Sequence, residues 1–204
     1  MNKYHIYGRP GTGSLIAEYL FRELNIDYKF TFIDKKKAKT DPEFLKMNPA
    51  GRIPVLVIPN GEIIFETLAI LYHIADNSPS LSPNIGDPLR DKYNQYLSMM
   101  ATGIYPAYHR QYHSYQYTSE SAYNELRRNA QSDQAILYDY IEKILDPYLC
   151  EEQLTAADFY LYMLSSWDKN PENLVKDRPK LKSLINEISL RSSVVETEKN
   201  HNQK

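Results

Sequence analysis

An α/β unit followed by an all-helical bundle is the architecture this 204-residue chain predicts. Three observations carry that expectation. Within Val55 to Ile64 two short apolar runs meet at Asn60-Gly61, with Ile53-Pro54 ahead of them and Glu66-Thr67 behind. Asn-Gly between β-rich runs marks a hairpin, because both residues tolerate positive φ. Leu68, Leu71, Tyr72 and Ala75 then recur at helical spacing, so a helix opens near Glu66-Thr67. Beyond Pro88 the apolar pattern is helical throughout.

The elements follow in order. Lys3 to Tyr7 is a short β-prone run, and Gly8 to Gly13, with its glycines and Pro10, is a loop. Leu15, Ile16, Tyr19, Leu20 and Leu24 form one apolar helical stripe, with Ser14 or Thr12 able to cap its start. Tyr28 to Ile33 reads as a second strand, and strand, helix and strand in so short a span imply a right-handed parallel unit. Asp34-Lys35-Lys36-Lys37 opens a polar connection holding a short helix near Pro42 to Met47. The hairpin and a helix from Glu66 to Asn77 complete the unit. Ser78 to Pro88, rich in Pro, Ser and Gly, is a linker, which sets boundaries at 1–77, 78–88 and 89–204.

In the helical part Leu89, Tyr93, Tyr96, Leu97 and Met100 form one stripe that continues toward Ile104. Leu126, Ala130, Leu137, Tyr140, Ile141 and Ile144 form a second. Thr155-Ala-Ala-Asp158 is a capping box, and the helix it opens, Phe159 to Trp167, is apolar nearly all round and therefore central. Arg178-Pro179 starts a last helix through Leu181, Leu184, Ile185 and Ile188. Val194 to Lys204 is polar and expected to fray.

The bulk properties narrow the function classes. A formal charge of −2 lacks the basic excess of a dedicated nucleic-acid surface. With one cysteine, Cys150, no intramolecular disulfide can form, which favours a cytoplasmic location. No apolar run approaches the roughly 18 residues of a membrane span, and the first residues lack the apolar core of a leader. Tyrosine is the outlier, 18 residues against one tryptophan, and many of them lie between Tyr93 and Tyr140.

Strand, hairpin and helix, with a proline at the mouth of the first hairpin strand, read as the second half of a thioredoxin-like domain. With Glu66-Thr67 behind it, this pattern resembles the soluble glutathione transferases, and the two-part layout matches them across nearly the whole chain. Pro10-Gly-Thr-Gly-Ser-Leu15, the Asn-Pro-x-Gly-x-Ile-Pro stretch ending at Pro54, and Leu154-Thr-Ala-Ala-Asp-Phe-Tyr-Leu161 are most similar to the bacterial beta class. The resemblance implies an α/β thioredoxin-like N-terminal domain plus an all-α C-terminal bundle. It also implies glutathione as co-substrate without a metal, attack on a hydrophobic electrophile in detoxification, and a homodimer without nucleic-acid or membrane partners.

The resemblance also distributes roles. Its proline is cis, and a cis bend at Pro54 would turn the Ile53 N–H and C=O out of the sheet. There they could bond the cysteinyl backbone of glutathione as an added strand. Glu66 would pair with the γ-glutamyl ammonium, and the Thr67 hydroxyl and N–H would hold the neighbouring carboxylate at the positive helix end. The plain alternative is a first-turn pair serving the helix alone. The glycine carboxylate needs a cation, either Lys35, at the beta-class position, or Arg52, whose fork could bind in bidentate fashion. Against this, Lys35 to Lys37 also reads as a solvated run.

Activation of the thiol is the open question. A free thiol titrates near about 8.5, and lowering that by about two units takes about 2.7 kcal/mol. The beta class carries a cysteine at the position of Gly13, so mixed-disulfide chemistry is missing here, and Cys150, at a turn between helices, does not replace it. The remaining hydroxyls are Ser14, Thr12 and Tyr7, each with a structural alternative: helix caps for the first two, a core or rim aromatic for the third. In the helical part Ser98 stands where beta enzymes often have asparagine, and Tyr105 where they have a histidine near the sulfur. Tyr105, Tyr108 and Tyr112 could line a second-substrate pocket suited to flat apolar electrophiles, or simply pack. Two further readings stand beside the transferase: a non-catalytic regulator resembling stringent starvation protein A, and a glutathione-dependent reductase, which Gly13 weakens.

Overall fold

The computed structural model describes residues 3–202. Two compact units form, one from the residues up to Ser82 together with those from Ser189 onward, the other from Pro83–Ile188.

The first unit contains strand β1 (Tyr4–Gly8), helix α1 (Leu15–Glu23), β2 (Tyr28–Phe32), α2 (Lys35–Thr40), α3 (Pro42–Met47), β3 (Val55–Val57), β4 (Ile63–Phe65) and α4 (Thr67–Asp76). The sheet order is β2-β1-β3-β4, with β1 and β2 parallel and the other neighbours antiparallel. The expected thioredoxin-like order is therefore present. Helix α2 was not anticipated; the Asp34 carboxylate caps it by accepting from the Lys36 and Lys37 N–H groups at 2.8 and 2.9 Å, offsetting its lysine-rich composition. The hairpin turn also differs from expectation. The Gly61 N–H donates to the Ile58 carbonyl at 2.9 Å, Pro59 and Asn60 lie between them, and only Gly61 takes positive φ, 93°. Pro59 presets the turn, and Gly61 supplies the bulge position a longer hairpin loop requires.

The second unit is helical: α5 (Leu89–Met99), a π turn over Met100–Ile104, α6 (Tyr105–Tyr112), α7 (Tyr123–Ile144), α8 (Ala156–Ser165), α9 (Pro171–Val175) and α10 (Pro179–Ser189). All ten residues of α8 are buried, so it is the central helix the sequence predicts. Its capping box is formed, and Asp158 accepts from the N–H groups of Leu149 and Thr155 at 2.8 Å and from the Thr155 hydroxyl at 3.0 Å. The first predicted stripe is buried from Tyr93 to Ile104. On α7 the buried line runs through Ala130, Gln134, Tyr138 and Ile141, while Tyr140, expected in the stripe, is exposed. Apolar character alone misplaced it, because the polar Gln134 takes an inside position, where its Oε1 accepts from the Gln111 side-chain amide at 2.6 Å.

Two expectations about boundaries need correction. The linker begins later than residue 78: Leu81 and Ser82 are buried, and the Ser82 hydroxyl donates to the Ala75 carbonyl at 3.1 Å. The C-terminal stretch is helical through Asn202 instead of frayed and belongs to the first unit, while residues 203 and 204 of that expectation lie outside the described residues. Helix α11 (Ser192–Asn202) packs on α1 with Val194 and Thr197 fully buried. Polar pairs run along the contact: Arg191 and Ser193 with Glu23, Arg22 with Glu196 at 2.8 Å, and His201 Nε2 with Glu18 at 2.7 Å. The Arg191 guanidinium and Ser193 hydroxyl outweigh burial and hold the Glu23 carboxyl below its usual range. A polar sequence docks here because its partners on α1 are polar too.

Candidate functional site

Register alone gathers the predicted residues of the first unit. Gly8 pairs with Phe32, Tyr7 with Val55, and Val55 with Phe65. The loop after β1, the start of α2, the Ile53-Pro54 step and the Glu66-Thr67 pair therefore all emerge at one end of the sheet. That end is where open α/β sheets bind ligands.

The Ile53-Pro54 peptide is cis. Pairing of β3 begins only at Val55, so the half-buried Ile53 lies outside the ladder. Glu66 precedes the first turn of α4 with φ 78° and ψ 124°, a conformation that costs a non-glycine residue about 1–3 kcal/mol. Its exposed side chain makes no capping bond to the helix. Thr67, nearly buried, opens the helix where backbone N–H groups lack intrahelical partners. Lys35 is exposed at the first position of α2 and Arg52 is exposed just before Ile53.

The three candidate hydroxyls have different surroundings. Ser14 is fully buried and caps nothing; its hydroxyl accepts from the Arg9 N–H at 3.1 Å and lies 3.1 Å from the Arg9 carbonyl. It also fills the space over Gly8, where an added Cβ would sit 2.4 Å from Ser14 Cβ. Thr12 is half-buried and donates to the same Arg9 carbonyl at 2.7 Å, with its oxygen 3.0 Å from Ser14 Oγ. Both hydroxyls thus fix the Arg9 peptide. Arg9, which sequence reasoning passed over, reaches the Ile33 carbonyl at 3.4 Å and helps hold the Asp34 carboxyl below its usual range, after the backbone bond from Lys37. Tyr7 packs against the cluster of Ile33, Ala38, Phe44 and Val55, which Ile53 also touches. Cys150 is buried, and burial pushes its thiol up to about 11, away from any role as a thiolate.

In the helical unit Ser98 is exposed and its carbonyl accepts from the Thr102 hydroxyl at 2.8 Å. The three tyrosines expected to line a pocket separate. Tyr108 is interior, 1% exposed, with its hydroxyl 3.2 Å from Tyr138 Oη and donating to Asp168 at 3.1 Å. That corrects the expectation for Tyr108: burial drives its phenol far above the ordinary range and two polar partners keep it there. Tyr105 and Tyr112 remain half-buried and flank Trp167. Tyr105 meets the indole edge-on at 4.9 Å, and the Tyr112 hydroxyl donates to the Trp167 carbonyl at 2.7 Å. Lys169 Nζ lies 4.7 Å over the Tyr112 ring. Trp167 was missed; its indole N–H is buried with no partner among the described residues, and its being the single tryptophan was the available signal.

Among the described residues no helix is long and apolar enough to cross a membrane, and no three His, Cys, Asp or Glu side chains could hold a metal ion.

Comparison with known proteins adds the family. Residues 2–76 match the model for the glutathione S-transferase N-terminal domain, and residues 108–199 match one for the C-terminal domain. The chain is 31% identical to the uncharacterized GST-like protein YncG of Escherichia coli (strain K12) over 173 residues, 82% of this chain and 83% of the relative. It is 27% identical to glutathione S-transferase GST-4.5 of Xanthomonas campestris, over 79% of this chain and 81% of that protein. A glutathione transferase homolog from Sulfitobacter, solved with bound glutathione, superposes with a TM-score of 0.86 at 23% identity, covering 98% of this chain and 99% of that one. A strained glutamate on a helix end, a cis proline beside a residue outside the ladder and matches to both halves converge on one conclusion: the chain belongs to the glutathione S-transferase family.

Proposed function

We propose that this protein is a glutathione transferase: it binds glutathione and stabilises its thiolate for attack on a hydrophobic electrophile. The observation that carries the reading is Glu66. It keeps a strained backbone and an uncapped, exposed carboxylate at the same sheet end as Ile53 and Pro54, a combination with no evident benefit to the fold. A γ-glutamyl ammonium on Glu66 and the adjoining carboxylate on the Thr67 N–H would use both features. Ile53 offers its backbone to the cysteinyl residue, and Lys35 or Arg52 takes the glycine carboxylate.

For the sulfur the geometry favours Thr12 over Ser14 and Tyr7. Ser14 is enclosed and Tyr7, itself half-buried, lies against the cluster of Ile33, Ala38, Phe44 and Val55, whereas Thr12 sits half-buried in the loop ahead of α1 and can exchange the Arg9 carbonyl for a thiolate. Within the helical unit, Tyr105 and Tyr112 flank Trp167 as a half-buried aromatic group of the kind that suits flat apolar compounds, and Ser98 is exposed. The reading includes a cytoplasmic homodimer, supported by Ile63 and Phe65, which stand exposed on the edge strand β4. Retention on immobilised glutathione followed by turnover of a chloronitroaromatic substrate tests it. Protein that flows through the column unretained rejects the reading; retention without turnover leaves a binding protein.

A further inference from the structure

We propose that Asn48 is the positioning residue that aims the Ile53 N–H at the cysteinyl carbonyl of glutathione; the inference rests on the glutathione-binding reading above. Asn48 ends α3 and is 1% exposed. Its Nδ2 donates to the Arg52 carbonyl at 2.7 Å, its Oδ1 accepts from the Ala50 N–H at 3.1 Å, and its own carbonyl accepts from the Gly51 N–H at 2.9 Å. One buried residue therefore ties three successive points of the loop that leads to Pro54. Two contacts bolt the same loop to α2. Lys39 Nζ donates to the Ala50 carbonyl at 2.8 Å. Gly51, at φ 57°, lies so close to α2 that an added Cβ would sit 2.7 Å from the Ala38 carbonyl oxygen.

The consequence is stereochemical. The Arg52 C=O and the Ile53 N–H belong to one planar trans peptide and point in opposite directions. With the carbonyl drawn onto a buried amide, the N–H is turned away from the interior. No partner takes it among the described residues. Hydrogen bonding by Asn48 thus sets the direction of a donor five residues away. Without the Nδ2 donor this peptide plane can rotate, and ordering it then falls to the ligand, which weakens binding.

The test compares wild type with Asn48→Asp, which keeps the size and the Oδ1 acceptor but sets an oxygen against the Arg52 carbonyl. By titration calorimetry the variant's Kd for glutathione should rise about tenfold or more, each tenfold being about 1.4 kcal/mol. At saturating glutathione its kcat should stay within about twofold, and its KM for a chloronitroaromatic should not change, because the sulfur and the aromatic surface are untouched. A second measurement needs no variant. In wild-type protein the Ile53 amide should exchange rapidly with deuterium when free and slowly with glutathione bound. An unchanged Kd in Asn48→Asp overturns the proposal, as does a protected Ile53 amide in the free protein. A parallel loss of Tm, kcat and both KM values also overturns it, since that marks a role in the fold alone. Wild-type protein that takes up no glutathione rejects the functional reading itself, a distinguishable failure.

Discussion

Replacing Asp158 by alanine should destabilise the protein by an amount that shrinks as the pH rises. The carboxylate is fully buried and holds the N–H groups of Leu149 and Thr155, themselves buried. Each N–H left without an acceptor costs about 1–3 kcal/mol, so the substitution should cost about 2–6 kcal/mol at pH 4.5. Burial outweighs these donors and lifts the Asp158 carboxyl from its ordinary 3.8 to about 6. Its folded pKa lies above the unfolded one, so the folded state binds this proton more tightly. The contribution to stability is fully present below about pH 4 and is lost as the pH climbs through about 6. A shift of about two units amounts to about 3 kcal/mol, of which about 2 kcal/mol falls between pH 4.5 and 7.5. The alanine variant has no such proton, and its deficit should narrow by about that amount over the same interval. Urea denaturation of both proteins at several pH values measures it, provided each transition is two-state. A deficit that widens toward neutral pH would refute the argument, for it would mean that the three donors, not burial, govern the carboxyl.

Three further outcomes concern the site. Glu66→Gly should raise the Kd for glutathione about tenfold or more, yet leave stability unchanged or up to about 1 kcal/mol higher, because glycine accepts φ 78° without strain; unaltered affinity removes Glu66 from the site. Thr12→Ala should raise the pKa of bound thiol, read by thiolate absorbance, whereas Ser14→Ala should act mainly on Tm by unlocking Arg9 from the loop. The reverse pattern would return Ser14 to the sulfur. Gly13→Cys should permit a mixed disulfide with glutathione, seen by intact-mass measurement. Gly13 does not take positive φ, so no left-handed strain opposes a side chain there, and no adduct under oxidised glutathione would undercut the alignment of this loop.

Local signals were legible in the sequence. The hairpin, the helix after Glu66 and the capping box at Thr155-Asp158 each depend on residues a few positions apart, and the cis bond at Pro54 came with the family resemblance. What stayed hidden depends on distant partners. Tyr108 shares a helix face with Tyr112, and spacing alone cannot separate core from rim; Tyr138 and Asp168, 30 and 60 residues on, decide it. Ser14 resembled a cap until Gly8 and Arg9 proved to need its side chain. The fate of the C-terminal stretch was unreadable for the same reason, since Glu23 and Arg191 meet across 168 positions. The strain at Glu66 left no mark in composition, because glutamate is ordinary at a helix start.

The return of α11 to α1 has a bearing on biosynthesis and on engineering. The thioredoxin-like half is encoded first but depends on residues made much later: until residues 189–202 leave the ribosome, Glu23 lacks Arg191 and Ser193, and Glu18 lacks His201 and keeps Tyr28. A chain truncated after the first unit's strands would lack the clamp on α1.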